Sequence, residues 1–100
     1  MTHTELETTL RKVAERCYHK IARKENDKLL RTGKELTVIE RLDIFQDYRE
    51  KAYIHYAQGM FFLDFYDLFD RTYREVEAEH KWEEEILISA SACERREYAT

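Results

Sequence analysis

Apolar side chains recur at helical spacing along most of the chain, and the face they define changes part-way. Leu6, Leu10, Val13, Cys17 and Ile21 follow one another at intervals of three and four, the spacing that gathers side chains on one side of an α-helix. Ahead of this stripe, Thr4 and Glu7 have the spacing of a capping box. Lys28, Arg31 and Gly33 supply a basic last turn and a terminal glycine. The pattern predicts a first helix over about residues 4–31, with an irregularity near Asn26 and Asp27.

Thr37 and Glu40 repeat the capping-box signature and begin a second helical pattern. Up to residue 63 its apolar positions, Val38, Leu42, Phe45, Ala52, Tyr56, Met60 and Leu63, fall on one face. From residue 61 onward, Phe61, Phe65, Leu68, Phe69, Thr72, Tyr73, Val76 and Leu87 centre on the opposite face, about 180° away. Gly59 sits at the switch. Its cost of about 1 kcal/mol relative to alanine inside a helix, together with the phase reset, predicts a break there and separate helices over about 36–58 and 60–88. Against the break stands the lack of a good N-cap before residue 60. The alternative is one helix running through Gly59, with one half on the first helix and the other on another chain.

The chain has no proline and only two glycines in 100 residues, which removes the usual punctuation of sheets and turns. The fold class expected is all-α: a bundle of two or three long helices forming one domain over residues 1–100, completed by oligomerisation. Cys17 and Cys93 lack metal-ligand spacing, and the N-terminus has neither the basic start nor the apolar run of a signal peptide. A cytoplasmic protein with reduced thiols is expected. The stretch 58–70 is rich in aromatics, but Asp64, Asp67 and Asp70 interrupt it and it is too short to span a bilayer, so no membrane association is expected.

The net charge of −4 conceals an asymmetry. Residues 1–34 hold nine Lys or Arg against five Asp or Glu, whereas residues 35–100 hold eight against sixteen. Lys12, Arg16, Lys20 and Arg23 recur on one face of the first helix, and Arg31 and Lys34 continue the stripe. Such a stripe could follow a phosphate backbone. The acidic remainder of the same chain makes solvation or pairing with protein acids the expected fate, and nucleic acid is not the expected partner. The acids Asp67, Asp70, Glu77, Glu84 and Glu85 could imitate phosphates, although Arg74 and Lys81 interrupt them.

Chemistry is sparse. No phosphate-binding glycine loop and no nucleophile in a recognisable context occurs, and Cys17 falls on the apolar stripe as a small core residue. Glu77 and His80 have the Glu-x-x-His spacing of carboxylate-bridged di-metal bundles, but one copy is half a site. No catalytic residue, metal site or cofactor is therefore expected. Seven tyrosines point instead to an interface, where a ring is buried and its hydroxyl stays wet. The interface residues expected, for a partner or a second copy, are Tyr53, Tyr56, Phe61, Phe62, Phe65, Tyr66, Phe69 and Tyr73.

The function these features favour is protein–protein interaction: a non-enzymatic homodimer that binds and blocks or regulates a protein partner, as compact accessory proteins of phages and mobile elements do by analogy. One alternative is a nucleic-acid-linked protein, using the basic helix or the acidic face. A second is a metal-dependent helical enzyme built on Glu77 and His80.

Overall fold

The computed structural model describes residues 2–98, with side-chain surroundings through Glu84. Three helices pack against one another: α1 (His3–Thr32), α2 (Val38–Tyr56) and α3 (Phe62–Tyr98). No strand occurs among the described residues, and the architecture is an all-α bundle. The chain runs up α1, down α2 and up α3. Lys28 therefore meets Glu40 at one end of the α1–α2 pair, while Leu6 and Tyr56 meet at the other.

The N-cap of α1 lies two residues before the expected one. Thr2 is the N-cap and forms the capping box with Glu5: the Glu5 amide donates to Thr2 Oγ1, and the Thr2 amide donates to the Glu5 carboxylate. The sequence holds two overlapping boxes, Thr2/Glu5 and Thr4/Glu7. The earlier one wins because it lengthens the helix by two residues, so that the Leu6 amide reaches the Thr2 carbonyl at 3.0 Å. At the far end Gly33 is left-handed (φ +72°) and its amide donates to the Leu29 carbonyl at 2.8 Å, the expected stop. The helix is unbroken at Asn26 and Asp27.

α2 begins at the expected cap. The Glu40 amide donates to Thr37 Oγ1 at 3.1 Å and the Glu40 carboxylate accepts from the Thr37 amide at 3.2 Å. Glu40 also accepts from Lys28 Nζ at 2.6 Å, so it ties the start of α2 to α1. The Lys28 ammonium, and after it the Thr37 amide, hold the Glu40 carboxyl below its ordinary pKa. Thr37→Ala is expected to lower the unfolding free energy by about 1 kcal/mol in chemical denaturation, with the slope against denaturant unchanged.

The break lies at residues 57–61. Gln58 (φ +47°) and Gly59 (φ +86°) are both left-handed, and the Met60 amide donates to the Ala57 carbonyl at 2.9 Å to close the reversal. A reversal needs no N-cap ahead of residue 60, since the turn itself ends α2 before α3 begins at Phe62. Folding back explains the phase switch: stripes that oppose each other on one continuous helix face a common interior once the chain reverses. Leu6, Leu10, Ala52, Phe65 and Phe69 form that interior, with Phe45, Tyr53, Tyr56 and Met60 packed around it. Ala14, Cys17, Thr72 and Val76 are also buried along α1 and α3. The Thr72 hydroxyl donates to the Leu68 carbonyl, so its oxygen is not stranded among apolar neighbours.

Across the α2–α3 seam, Arg49 Nη1 lies 3.1 and 3.3 Å from the two Asp70 carboxylate oxygens. Its guanidinium carbon stands 4.3 Å from the Tyr66 ring centroid and 5.2 Å from that of Phe45. One side chain thus closes the seam by charge and by cation–π contact together.

Candidate interaction groove and histidine cluster

Two surfaces stand out, apart from the exposed Ile54, Phe61, Phe62 and Leu63 at the turn end of the bundle. The first is a groove of about 630 Å³ at the end of the bundle where α1 ends and α2 begins, with α3 as its third wall. Ile21, Ala22 and Leu29 line it from α1, and Val38, Leu42 and Phe45 from α2. Tyr18 from α1 and Tyr73 from α3 complete the apolar lining. The apolar stripe of α2 outruns what α1 and α3 cover, which leaves Val38 80% and Leu42 46% exposed. Beside the groove, Leu30 (79%) and Ile39 (72%) project into solvent as an apolar tip. The rim alternates in sign: Arg41 is bonded to Glu25, Lys81 to Glu77 at 3.2 Å, and Glu84 stands alongside.

The residues expected at an interface divide. Phe65 and Phe69 are fully buried in the chain's own core and offer nothing to a partner, which corrects their reading as shared aromatics. Their stripe is covered from within because α3 folds back onto α1 and α2. Tyr53, Tyr56 and Tyr66 are half-buried around the same core, where Tyr53 meets Phe65 edge-on at 5.5 Å. Tyr73 is half-buried in the groove wall, and burial pushes its phenol up from the ordinary value. Only Phe61 (57%) and Phe62 (45%) remain substantially exposed, at the turn end of the bundle beside Ile54 and Leu63. The groove residues were legible as helix-face positions, but nothing in the sequence said that α1 and α3 would leave them uncovered.

Comparison with protein-family models, curated proteins and solved structures finds no match.

Of the two fates expected for the basic stripe, solvation and pairing with protein acids, the side chains take the first. None of Lys12, Arg16, Lys20 and Arg23 enters an ion pair among the described residues. The contacts across helices are made instead by Arg11 with Glu79, Lys28 with Glu40, Arg41 with Glu25 and Arg49 with Asp70. Of the proposed acidic mimic, Asp70 is held by Arg49, Asp67 by Arg71 and Glu77 by Lys81. Glu85 lies outside the residues whose side chains are described. No helix among the described residues is long and apolar enough to cross a membrane.

The second surface is a cluster on the α1–α3 seam. His80 Nε2 lies 2.8 Å from Glu15 Oε2, and His19 Nε2 lies 3.6 Å from the same oxygen. Glu77, the expected partner of His80, turns to Lys81 instead, so the half-site read as Glu-x-x-His is not assembled. The missed signal was Glu15 and His19, four residues apart on α1. Without the register of α1 against α3, that spacing is indistinguishable from an ordinary helical pair. Cys17 is fully buried, and burial pushes its thiol up to about 12, far from the thiolate a nucleophile needs. Cys93 lies outside the residues whose side chains are described.

Proposed function

We propose that this protein is a non-enzymatic protein-interaction domain that works as a dimer, in which the groove of each copy receives the apolar tip of the other. The observation that carries the reading is the groove and tip side by side, with Leu29, Leu30, Val38, Ile39 and Leu42 all exposed at one end of the bundle. A projection beside a matching depression is what a two-fold, self-complementary interface requires. The alternating rim fits the same symmetry, since Glu25, Glu77 and Glu84 of one copy can meet Arg41 and Lys81 of the other. A monomer rarely leaves such apolar side chains contiguous and uncovered. Burying a branched aliphatic side chain contributes about 1.5–3 kcal/mol and association costs about 4–15 kcal/mol, so several of these side chains from each copy must be buried together to reach the net of about 8 kcal/mol of a dimer dissociating at micromolar concentration.

Within this reading the dimer acts as a regulator or inhibitor of a further protein, and the exposed Phe61 and Phe62 at the opposite end stay free to meet it. The unreactive, buried thiol of Cys17 supports a binding role over covalent catalysis, and a free thiol suits a reducing, cytoplasmic setting.

Light scattering from 1 to 100 µM, a range set by the micromolar estimate above, tests this. The wild type should pass from monomer to dimer across it. Leu42→Asp should stay monomeric with its helicity intact, and Lys51→Ala, on an exposed face, should behave as wild type. A wild type monomeric throughout would overturn the proposal. A Leu42→Asp variant that still dimerises would move the interface elsewhere.

A further inference from the structure

The geometry points to a zinc-binding site formed by Glu15, His19 and His80, bridging α1 and α3. Their ligand atoms, one from each side chain, all lie within 4.8 Å of one another. A tetrahedral Zn²⁺ with bonds of about 2.0–2.1 Å holds its donors about 3.3–3.4 Å apart. The Glu15–His80 and Glu15–His19 separations of 2.8 and 3.6 Å fall on either side of that value and the two imidazoles offer nitrogens within 4.8 Å of each other, so side-chain rotations bring the three donors to an ion. Two imidazoles and one carboxylate are also a donor set that zinc accepts with a fourth position left open.

The site is supported from behind. The Tyr18 ring stacks on His80 with centroids 4.2 Å apart and planes within 7° of parallel, which fixes the imidazole's orientation. His19 stands edge-on to His80 at 5.3 Å, so the two rings converge on Glu15 from different directions. The side chains of His80 and Glu15 are 23% and 35% exposed and that of His19 is 65% exposed, which gives the ion an entry path and leaves its open position to water. Two ligands come from consecutive turns of α1 and the third from α3, so the bound ion would clamp the two helices. The expectation of a metal-free protein rested on Glu77 and His80 being only half of a di-metal site, and Glu15 and His19 did not enter it.

The test is Zn²⁺ titration of the untagged full chain against a chromophoric chelator, with thermal unfolding followed in parallel. One Zn²⁺ per chain is expected, with a melting temperature that rises with free Zn²⁺ because the ion binds only the folded arrangement. His80→Gln and His19→Gln should each weaken binding more than tenfold and abolish the thermal shift. His3→Gln and His55→Gln should leave both unchanged. Circular dichroism of the metal-free variants separates loss of the site from loss of the fold. Absence of stoichiometric binding, or binding that survives His80→Gln in a folded variant, would overturn the inference.

Discussion

Phe69→Ala is expected to lower the unfolding free energy by about 3–5 kcal/mol, the range found when a large aromatic is removed from a packed core. Phe69 is fully buried in the five-residue cluster that joins all three helices, and its ring lies 5.5 Å from that of Phe45 on α2. Against a total stability of about 5–15 kcal/mol for a domain of this size, the loss removes much of the margin. Phe62→Ala, only seven residues earlier, should cost less than about 1 kcal/mol because Phe62 is half exposed and packs chiefly on Phe61 and Tyr66. Urea denaturation monitored by circular dichroism distinguishes the two. Equal losses would mean that the aromatic run is not divided into core and surface as described.

The second large effect concerns Arg49. Arg49→Ala should cost about 1–3 kcal/mol, more than an exposed ion pair contributes and less than a fully buried one. The side chain is only 19% exposed, spans both Asp70 oxygens, and lies over the Tyr66 and Phe45 rings. Arg49→Lys separates the contributions: it keeps the charge but loses the planar guanidinium that lies over the rings, and should still cost about 1 kcal/mol. If lysine restores full stability, charge alone closes the seam and the rings are incidental.

The helices were legible because their signals are local. The Thr37/Glu40 box and the stop at Gly33 were each read from a few neighbouring residues, and each holds in the structure. The N-cap of α1 was misplaced by two residues because Thr2/Glu5 and Thr4/Glu7 satisfy the same rule, and only the added length of the helix decides between them. Pairing across helices was not legible. The opposed stripes around residue 60 fitted either a fold-back or a second chain, and the choice depended on whether Gln58 and Gly59 reverse the backbone. The Glu15–His80 contact spans 65 residues, and Arg49–Asp70 spans 21. No periodicity within one helix encodes which residue of another it will face.

Isotope-filtered NOE measurement decides whether a second copy covers the groove between α1, α2 and α3. The sample is a mixture of labelled and unlabelled chains at a concentration where the dimer predominates. Intermolecular contacts are expected from the Leu30 and Ile39 methyls of one copy to Ile21, Leu42 and Phe45 of the other, all lost in Leu42→Asp. Intermolecular contacts confined to Phe61, Phe62 and Leu63 would contradict this arrangement by placing the interface at the opposite end of the bundle.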